Sequence, residues 1–387
     1  MTPAADNDLR VAAVNADSPS PFIPVYRPDL SGNERSYVLE CLDSSWISSL
    51  GTFIERFEKA VCAATGVQFA TGTCNGTVAL HLALHCLGVG PGDEVIVPSF
   101  TYIASVNTIA QTGAAPVFAD CRASDWLLDP DDVAARITPR TKAILPVHLY
   151  GAACDMGRLC RLARQHSLEI VEDCAEAFGT TLDGRHVGLF GNVGTFSFFG
   201  NKTVTTGEGG MVLTNDSALA ARMRLVRGQG QSLTRRYWHE ELGFNYRMTN
   251  PVAAIGLAQI ERLDAILARK RAISARYREL LSGLPLSFQQ PGPGVDKSEW
   301  LVSMLLPEGA DRERVMEDML ARRVDTRPVF YCAHQMPMYA KNQSLPVSEN
   351  ISARGISLPS YPGLSDHDLG RVADALAAAL AAQGLAG

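Results

Sequence analysis

Short apolar runs alternate with helical patterns between about residues 65 and 215 of the chain. The helical stretches include Val78–Cys86 and Met156–His166. Strands that alternate with helices form βαβ units, so the pattern predicts a mostly parallel sheet that is covered on both faces. The predicted strands are Val67–Thr71, Glu94–Val97, Pro116–Ala119, Ala143–Val147, Glu169–Glu172, Thr195–Phe198 and Met211–Thr214.

A smaller group of elements follows after residue 250 and indicates an α+β unit. One long helix is predicted from Pro251 to about Leu281, with Asn250 as its cap, and its length suggests that it links two domains. Ser365 and Asp368 form a predicted capping box for the last helix. The other elements are predicted at Leu301–Leu306 (strand), Asp311–Arg322 (helix), Asp325–Pro328 (strand) and from about Asp366 (helix).

The length of 387 residues favours two domains rather than a single core. Hydrophobic residues make up 46% and charged residues 20%, as in ordinary soluble globular proteins. We expect a flexible N-terminal arm at residues 1–20, a large domain at 21–260 and a small C-terminal domain at 261–387. The arm lacks the apolar core of a signal peptide. The sequence also contains no uninterrupted run of 18 apolar residues, the length needed to span a membrane. A cytoplasmic location is therefore expected.

Charge and cysteine content narrow the range of partners. The 35 basic and 41 acidic residues give a net charge of -6, which argues against nucleic acid as a partner. None of the nine cysteines forms a C-x-x-C pair, so a zinc ribbon or a redox motif is not expected, and no metal site is predicted. Free thiols in a reducing cytoplasm fit this distribution.

Ligands of parallel sheets bind at the carboxyl ends of the strands, and Asp173 in LEIVEDCAEAFG ends one of the predicted strands. A carboxylate at the end of a buried strand is costly unless it is paired. Asp173 could therefore cap a helix or form a salt bridge. Alternatively it could pair with a buried cation such as a protonated pyridine nitrogen.

Lys202 lies in FSFFGNKTVTTGEGG, a Gly/Thr-rich loop that follows an apolar strand. A lone loop lysine is usually exposed to solvent. Here the apolar and glycine neighbours could hold the amine in a dry pocket, which would lower its pKa and make it a nucleophile. The loop is not a P-loop, because Asn201 separates Gly200 from Lys202.

Two further motifs suit a planar ligand that carries a phosphate. Asn75, Gly76 and Thr77 open a predicted helix, whose free N–H groups and dipole attract phosphate, although such strings are often simple caps. Ser197 is a second hydroxyl that could reach the same phosphate. Tyr102 in PSFTYIAS could lie against a planar ring or could be an aromatic residue of the core.

Together these motifs resemble the DegT/DnrJ/EryC1/StrS family of sugar aminotransferases, from about Ile23 to Leu380. The resemblance implies the α/β fold of aspartate aminotransferase, called PLP fold type I. That fold has a large domain with a mostly parallel seven-stranded sheet and a smaller α+β C-terminal domain. The cofactor implied is pyridoxal 5′-phosphate (PLP), with pyridoxamine 5′-phosphate as its intermediate form. The matching strings are WISSLGTFIERFE, CNGTVALHLAL, GDEVIVPSFTYIAS, PVHLYG, VEDCAEAFG, FSFFGNKTVTTGEGGM, RGQG and GFNYRMTNPVAAIGLAQ.

The resemblance also implies a role for each matching residue. Lys202 would form the Schiff base with the cofactor, and Asp173 would pair with its pyridine nitrogen. Glu176 would lie near the ring hydroxyl, and Tyr102 would stack on the ring. Asn245 of GFNYRMT would reach the phosphate from a second subunit, which implies a homodimer with shared active sites. The phosphate ligands within the same subunit would be Gly76, Thr77 and Ser197.

The reaction implied is transfer of an amino group from glutamate to a nucleotide-linked 4-keto-6-deoxy sugar. NERSYVLECLDSSWISS and RRYW are most similar to family members that act on GDP-4-keto-6-deoxymannose. Amination at C3 or C4 of a TDP- or UDP-linked sugar stays open, because Tyr331, Cys332 and Ala333 depart from the expected pattern. The residues expected near the sugar are Trp46, Ser48 and His334, and for Trp46 a packing role is an equal alternative.

Two other classes of function fit the sequence less well. An NAD-dependent oxidoreductase could use the same kind of sheet, but the glycine fingerprint for a dinucleotide is missing. A non-catalytic PLP-fold ligand sensor would bind the cofactor without responding to glutamate. Such regulators usually carry a DNA-binding domain, for which the arm before residue 21 has no room.

Overall fold

A computed structural model describes residues 21–232, 234–340 and 342–385. The predicted N-terminal arm at residues 1–20 lies outside these ranges. The helices are α1 (Glu34–Asp43), α2 (Thr52–Thr65), α3 (Gly76–Cys86), α4 (Ala104–Gln111), α5 (Pro130–Arg136), α6 (Met156–His166), α7 (Ser217–Arg227), α8 (Asn250–Ile260), α9 (Leu263–Leu280), α10 (Arg312–Ala321), α11 (Pro346–Arg354) and α12 (Asp366–Ala381). None of the helices in these ranges has the length and apolarity needed to cross a membrane.

Fourteen strands form three sheets in the described residues. The strands are β1 (Phe69–Thr73), β2 (Glu94–Pro98), β3 (Ala115–Ala119), β4 (Thr141–Ile144), β5 (Glu169–Asp173), β6 (Thr181–Leu182), β7 (Arg185–His186), β8 (Val193–Ser197), β9 (Gly210–Thr214), β10 (Ser287–Phe288), β11 (Val295–Asp296), β12 (Val302–Leu305), β13 (Arg327–Pro328) and β14 (Gly355–Leu358). Two 3₁₀ turns lie at Leu149–Gly151 and Ala333–Gln335.

The central sheet has seven strands in the order β1-β9-β8-β5-β4-β2-β3. Only β9 runs antiparallel to its neighbours, and the remaining pairs are parallel. All seven strands overlap the strands predicted from the apolar runs. The prediction of a mostly parallel seven-stranded sheet is therefore confirmed.

Both faces of the central sheet are buried. Val212 of β9 belongs to one hydrophobic core cluster, while its neighbours Met211 and Leu213 belong to another. Successive side chains of a strand point to opposite faces, so the two clusters lie on opposite sides of the sheet. This explains why the strands read as continuous apolar runs rather than as alternating ones.

A second core forms around the four-stranded sheet β10-β12-β14-β13 and helices α9, α10 and α12. Ile23, from the start of the described chain, packs into this core and forms a β-bridge with Val324. Strand β13 has only two residues, because Pro328 cannot donate to a neighbouring strand. Ser365 caps α12 as predicted, since its hydroxyl accepts the N–H of Asp368 at 3.1 Å.

The prediction of one helix from Pro251 to Leu281 is wrong. The chain forms α8 and α9, which are separated at Glu261 and Arg262. Arg262 has φ −115° and ψ 10°, outside the helical region, and its guanidinium pairs with Asp29 at 2.7 Å. This contact with the N-terminal segment was invisible in the local pattern.

Asn250 does not cap α8, contrary to the prediction. The cap position belongs to Thr249, and the buried Asn250 side chain instead joins three other segments. Its Oδ1 accepts the N–H of Phe53 at 3.0 Å, and its Nδ2 donates to the carbonyl of Trp46 at 2.8 Å. Nδ2 also contacts the sulfur of Cys41 at 3.2 Å. The amide thereby fixes the loop between α1 and α2.

We predict that Asn250→Ala lowers the free energy of unfolding by roughly 2–4 kcal/mol, because it leaves a buried N–H and a buried carbonyl without partners. Urea denaturation measures this change. Asn350→Ala is the matched control, since the exposed Asn350 makes only a 3.5 Å contact with Arg354. The control should stay within about 0.5 kcal/mol of the wild type. Equal effects of the two substitutions would contradict the bridging role of Asn250.

Candidate active site

A cavity of about 880 Å³ opens at the carboxyl ends of the central strands. Its floor includes Asp173 at the end of β5 and Ser197 at the end of β8, and the loop after β8 adds Lys202. The first turn of α3 forms one end of the cavity. The C-terminal unit forms part of the opposite wall with Trp300, Leu301, Arg327, Pro328, Phe330 and Ser357.

Asp173 is buried at the floor of this cavity, with 4% of its surface exposed. Its Oδ2 accepts the hydroxyl of Ser105 at 2.7 Å, and its Oδ1 accepts the N–H of Ala175 at 3.0 Å. Burial raises the pKa of the Asp173 carboxyl, and the hydrogen bond from Ser105 opposes this shift. A cation that hydrogen-bonds to Asp173 would therefore stabilise its ionised form.

Lys202 places its amine between a carboxylate and an indole ring. Its Nζ lies 3.6 Å from Oε1 of Glu176 and 4.1 Å from the ring centroid of Trp300. Burial lowers the pKa of Lys202, whereas the charges of Glu176 and Asp173 oppose that shift. An amine with a lowered pKa is a better nucleophile near neutral pH.

Glu176 is the third ionisable group of the cavity. Its Oε2 accepts the N–H of Tyr150 at 2.8 Å. Burial raises the pKa of Glu176 to about 7, although the neighbouring charge of Lys202 opposes the shift. Glu176 can therefore exchange a proton near neutral pH, beside the amine of Lys202.

The first turn of α3 comes unusually close to the end of β8. A Cβ atom on Gly76 would lie 2.7 Å from Cβ of Ser197, so only glycine fits here. Asn75 caps the helix by accepting the N–H of Val78 at 3.0 Å. The first N–H groups of a helix have no partner within it, so this turn presents donors beside the Ser197 hydroxyl.

The structure brings Gly76, Thr77, Tyr102, Asp173, Glu176, Ser197 and Lys202 to one cavity. Tyr102 lies at its edge, where 58% of its surface is exposed. Three other predicted residues, Trp46, Ser48 and Asn245, lie on the surface and do not line the cavity of their own chain.

His334 is buried outside the cavity. Its Nδ1 lies 2.6 Å from the hydroxyl of Ser99, and its Nε2 lies 3.1 Å from Oε1 of Glu349. Both ring nitrogens are therefore engaged within the described fold.

Several residues of the site were not singled out from the sequence. Ser105 lies in the same PSFTYIAS motif as Tyr102, three residues further on, and this spacing on a helical turn could have marked it. Tyr150 has φ 54°, which is rare for a residue other than glycine. Its ring stacks between Trp300 and Phe330 at centroid distances of 6.0 Å and 5.5 Å. Nothing in the local sequence indicates this conformation.

A buried hydrogen-bonded pair, His148 and Glu172, supports the strand that carries Asp173. Nδ1 of His148 accepts the N–H of Cys154 at 3.1 Å, so the ring proton is on Nε2, which donates to Glu172 at 3.1 Å. Glu172 also accepts three backbone N–H groups from residues 188–191. Burial alone would raise the pKa of Glu172, but His148 and these donors hold it below its usual value.

Comparison with known proteins gives consistent results. The sequence model of the DegT/DnrJ/EryC1/StrS aminotransferase family matches residues 28–377. A GDP-perosamine synthase of Escherichia coli O157:H7 is 50% identical over 90% of this chain and 96% of its own length. A GDP-perosamine synthase of Vibrio cholerae is 47% identical over 92% of this chain and 98% of its own. The structure of S. venezuelae DesV in complex with a ketimine intermediate is 37% identical, with a TM-score of 0.86 over 92% of this chain and 98% of DesV.

The fold and the cavity define a fold type I enzyme of the PLP-dependent class. The chain belongs to the DegT/DnrJ/EryC1/StrS aminotransferase family, whose members are PLP-dependent sugar aminotransferases. The expectations for family, fold, enzyme class and cofactor are therefore confirmed.

The residues of the cavity fit the cofactor. The first turn of α3 lies close to the Ser197 hydroxyl at one end, where a phosphate could be held. At the floor, the carboxylate of Asp173 suits a protonated ring nitrogen, because its burial calls for a cationic partner. Between them, the amine of Lys202 can bond to an aldehyde carbon.

The raised pKa of Glu176 makes the stability of the cofactor-free protein depend on pH. Glu176 has a pKa of about 7 when folded, against an ordinary value of 4.5. Between these values the folded state binds more protons than the unfolded state, so stability falls as pH rises. We expect the wild type to lose about 3 kcal/mol relative to Glu176→Gln from pH 4.5 to pH 7, measured by urea denaturation. If the difference in unfolding free energy between the two proteins stays constant across this pH range, the raised pKa of Glu176 is refuted.

Proposed function

We propose that this chain transfers the amino group of glutamate to C4 of GDP-4-keto-6-deoxymannose, which gives GDP-perosamine. The observation that carries the catalytic part is the amine of Lys202, whose side chain is 13% exposed, in one cavity with Asp173 and Glu176. The choice of substrate is supported by the relatives that are named GDP-perosamine synthase and cover nearly the whole chain at 47% and 50% identity.

In this proposal each cavity residue binds one part of the cofactor. Gly76, Thr77 and Ser197 hold the phosphate, and Tyr102 lies against the ring. Asp173 accepts a hydrogen bond from the protonated ring nitrogen. The hydrogen bond from Ser105 orients its carboxylate toward that nitrogen. The bound cofactor supplies an electrophilic carbon for nitrogen transfer and a ring that stabilises negative charge at the reacting carbon.

Lys202 moves the protons of both half-reactions. Its Nζ removes the proton from Cα of glutamate, and in the second half it delivers a proton to C4 of the sugar. The lowered pKa of Lys202 lets a neutral amine act as the base. Glu176, 3.6 Å away, can share a proton with that amine because its own pKa is about 7. The aromatic wall of Tyr150, Trp300 and Phe330 limits water around the exchange.

We propose further that the active unit is a homodimer in which each subunit completes the cavity of the other. Asn245, Trp46 and Ser48 support this arrangement, because they are exposed and do not line the cavity of their own chain. Arg247 donates to Oδ1 of Asn245 at 3.0 Å, which directs the amide N–H₂ outward as a donor for phosphate. Five large apolar side chains are also exposed on α1 and on the loop that follows it: Leu39, Leu42, Trp46, Ile47 and Leu50.

The reaction is tested by its two halves. Glutamate should convert the visible absorbance of the holoenzyme to that of the amine form, because the amino group moves to the cofactor. After glutamate is removed, GDP-4-keto-6-deoxymannose should restore the original band. Recovery with TDP-4-keto-6-deoxyglucose alone would contradict the proposed substrate, and no response to glutamate would contradict amino transfer.

Lys202→Ala should reduce the turnover of this reaction to background, because no other lysine among the described residues lines the cavity. The variant should still bind the cofactor through the phosphate and ring contacts. Steady-state assays with equilibrium dialysis of the cofactor separate the two effects. Retained turnover in Lys202→Ala would rule out the assigned role.

Shared active sites predict complementation between inactive subunits. Lys202→Ala removes the lysine of a subunit's own site. Asn245→Asp disables the phosphate contact that the subunit gives to its partner, because the introduced aspartate repels the cofactor phosphate. After random exchange of equal amounts, half of the dimers are mixed, and each mixed dimer has one intact site. Activity should therefore return to about a quarter of the wild-type value. Mixtures that stay inactive, although subunit exchange is shown by tagged chains, would contradict shared sites.

A further inference from the structure

Lys270 carries its amine into the interior of the protein. It lies in α9 with 1% of its surface exposed, and it takes part in no ion pair within the described ranges. Burial lowers the pKa of Lys270 to about 7, and the charge of Glu299 opposes this shift. An amine buried without a carboxylate partner is unfavourable unless its hydrogen bonds are satisfied by other groups.

The amine of Lys270 joins separate segments of the chain. Nζ donates to the carbonyl of Trp300 at 2.9 Å and to the carbonyl of Ser360, also at 2.9 Å. It also lies 5.5 Å from the ring centroid of Tyr26. Lys270 therefore links three segments at residues 26, 300 and 360.

Tyr26 and Trp300, which contact Lys270, also form hydrogen bonds with the main chain at Lys202. The hydroxyl of Tyr26 donates to the carbonyl of Lys202 at 2.7 Å. The indole N–H of Trp300 donates to the carbonyl of Asn201, also at 2.7 Å. The face of the same indole covers the amine of Lys202 at 4.1 Å. The peptide before Lys202, the peptide after it and its amine are thus all held by residues that contact Lys270.

We propose that Lys270 is a positioning residue for Lys202. By holding the main chain of Trp300, it fixes the indole that orients both the Asn201 carbonyl and the Lys202 amine. A small displacement of a reacting group can slow a reaction by a large factor, so loss of this support should be visible at Lys202. The inference rests on Lys202 being the lysine that bonds to the cofactor.

The test is the rate at which cofactor-free protein gains the visible absorbance of bound cofactor after pyridoxal 5′-phosphate is added. Lys270→Met removes both hydrogen-bond donors and should slow this rate by about tenfold or more. Lys270→Gln keeps two N–H donors without the charge and should stay within about threefold of the wild type. Thermal unfolding of each cofactor-free variant is measured in parallel.

A merely structural role predicts a different pattern. If Lys270→Met binds the cofactor at the wild-type rate, the proposal is overturned. If Lys270→Met does not fold, Trp300→Phe decides: a slowed rate with an unchanged unfolding midpoint supports the proposal, and a wild-type rate overturns it. Trp300→Phe should itself be slow, and adding Lys270→Met should slow it no further. If the double variant is instead slowed by the product of the two single effects, Lys270 does not act through Trp300.

Lys202→Ala separates this inference from the assignment of the cofactor lysine. If that variant still gains the visible band at the wild-type rate, Lys202 is not the bonding lysine and the assignment itself fails. If it does not, while Lys270→Met behaves like the wild type, only the positioning role of Lys270 fails.

Discussion

Burying an amine and two carboxyl groups in one cavity removes hydration that no single contact replaces. This loss is offset partly by the attraction of the Lys202 amine for Asp173 and Glu176, and partly by donors that the fold brings to the two carboxyl groups. Ser105 and the backbone of Ala175 and Tyr150 supply those donors. Much of the surrounding structure holds these donors in place, including Tyr150 with its left-handed backbone conformation.

The central sheet and its reactive edge could be predicted because they follow from local patterns. Continuous apolar runs such as residues 95–98 can be satisfied only in a sheet that is covered on both faces. Parallel strands then bring their carboxyl ends to one edge, so polar residues that directly follow strands must meet there. Asp173, at the end of β5, and Tyr102, in the loop after β2, follow this rule, and the structure places both at the cavity.

The features that escaped prediction depend on contacts between distant segments. Asn250 has the residue type of a helix cap, but its amide is taken by partners about 200 positions away. The break before α9 coincides with a pairing of Arg262 with Asp29. Lys270 and Trp300 affect Lys202 only after the C-terminal unit has folded against the large sheet. The roles of Trp46, Ser48 and Asn245 depend on a second chain and remain predictions.

The pairing of residue 23 with the strand region near residue 324 has a consequence for synthesis on the ribosome. Ile23 bonds to the backbone of Arg323 and Asp325, and Val25 bonds to a side chain 300 positions further along. At about 5–20 residues per second, the early segment waits for about 15–60 seconds before its partner is made. Tyr26, which holds the Lys202 carbonyl, belongs to that waiting segment. A nascent chain with a complete seven-stranded sheet therefore still lacks a finished lysine site until the region near residue 324 has been made.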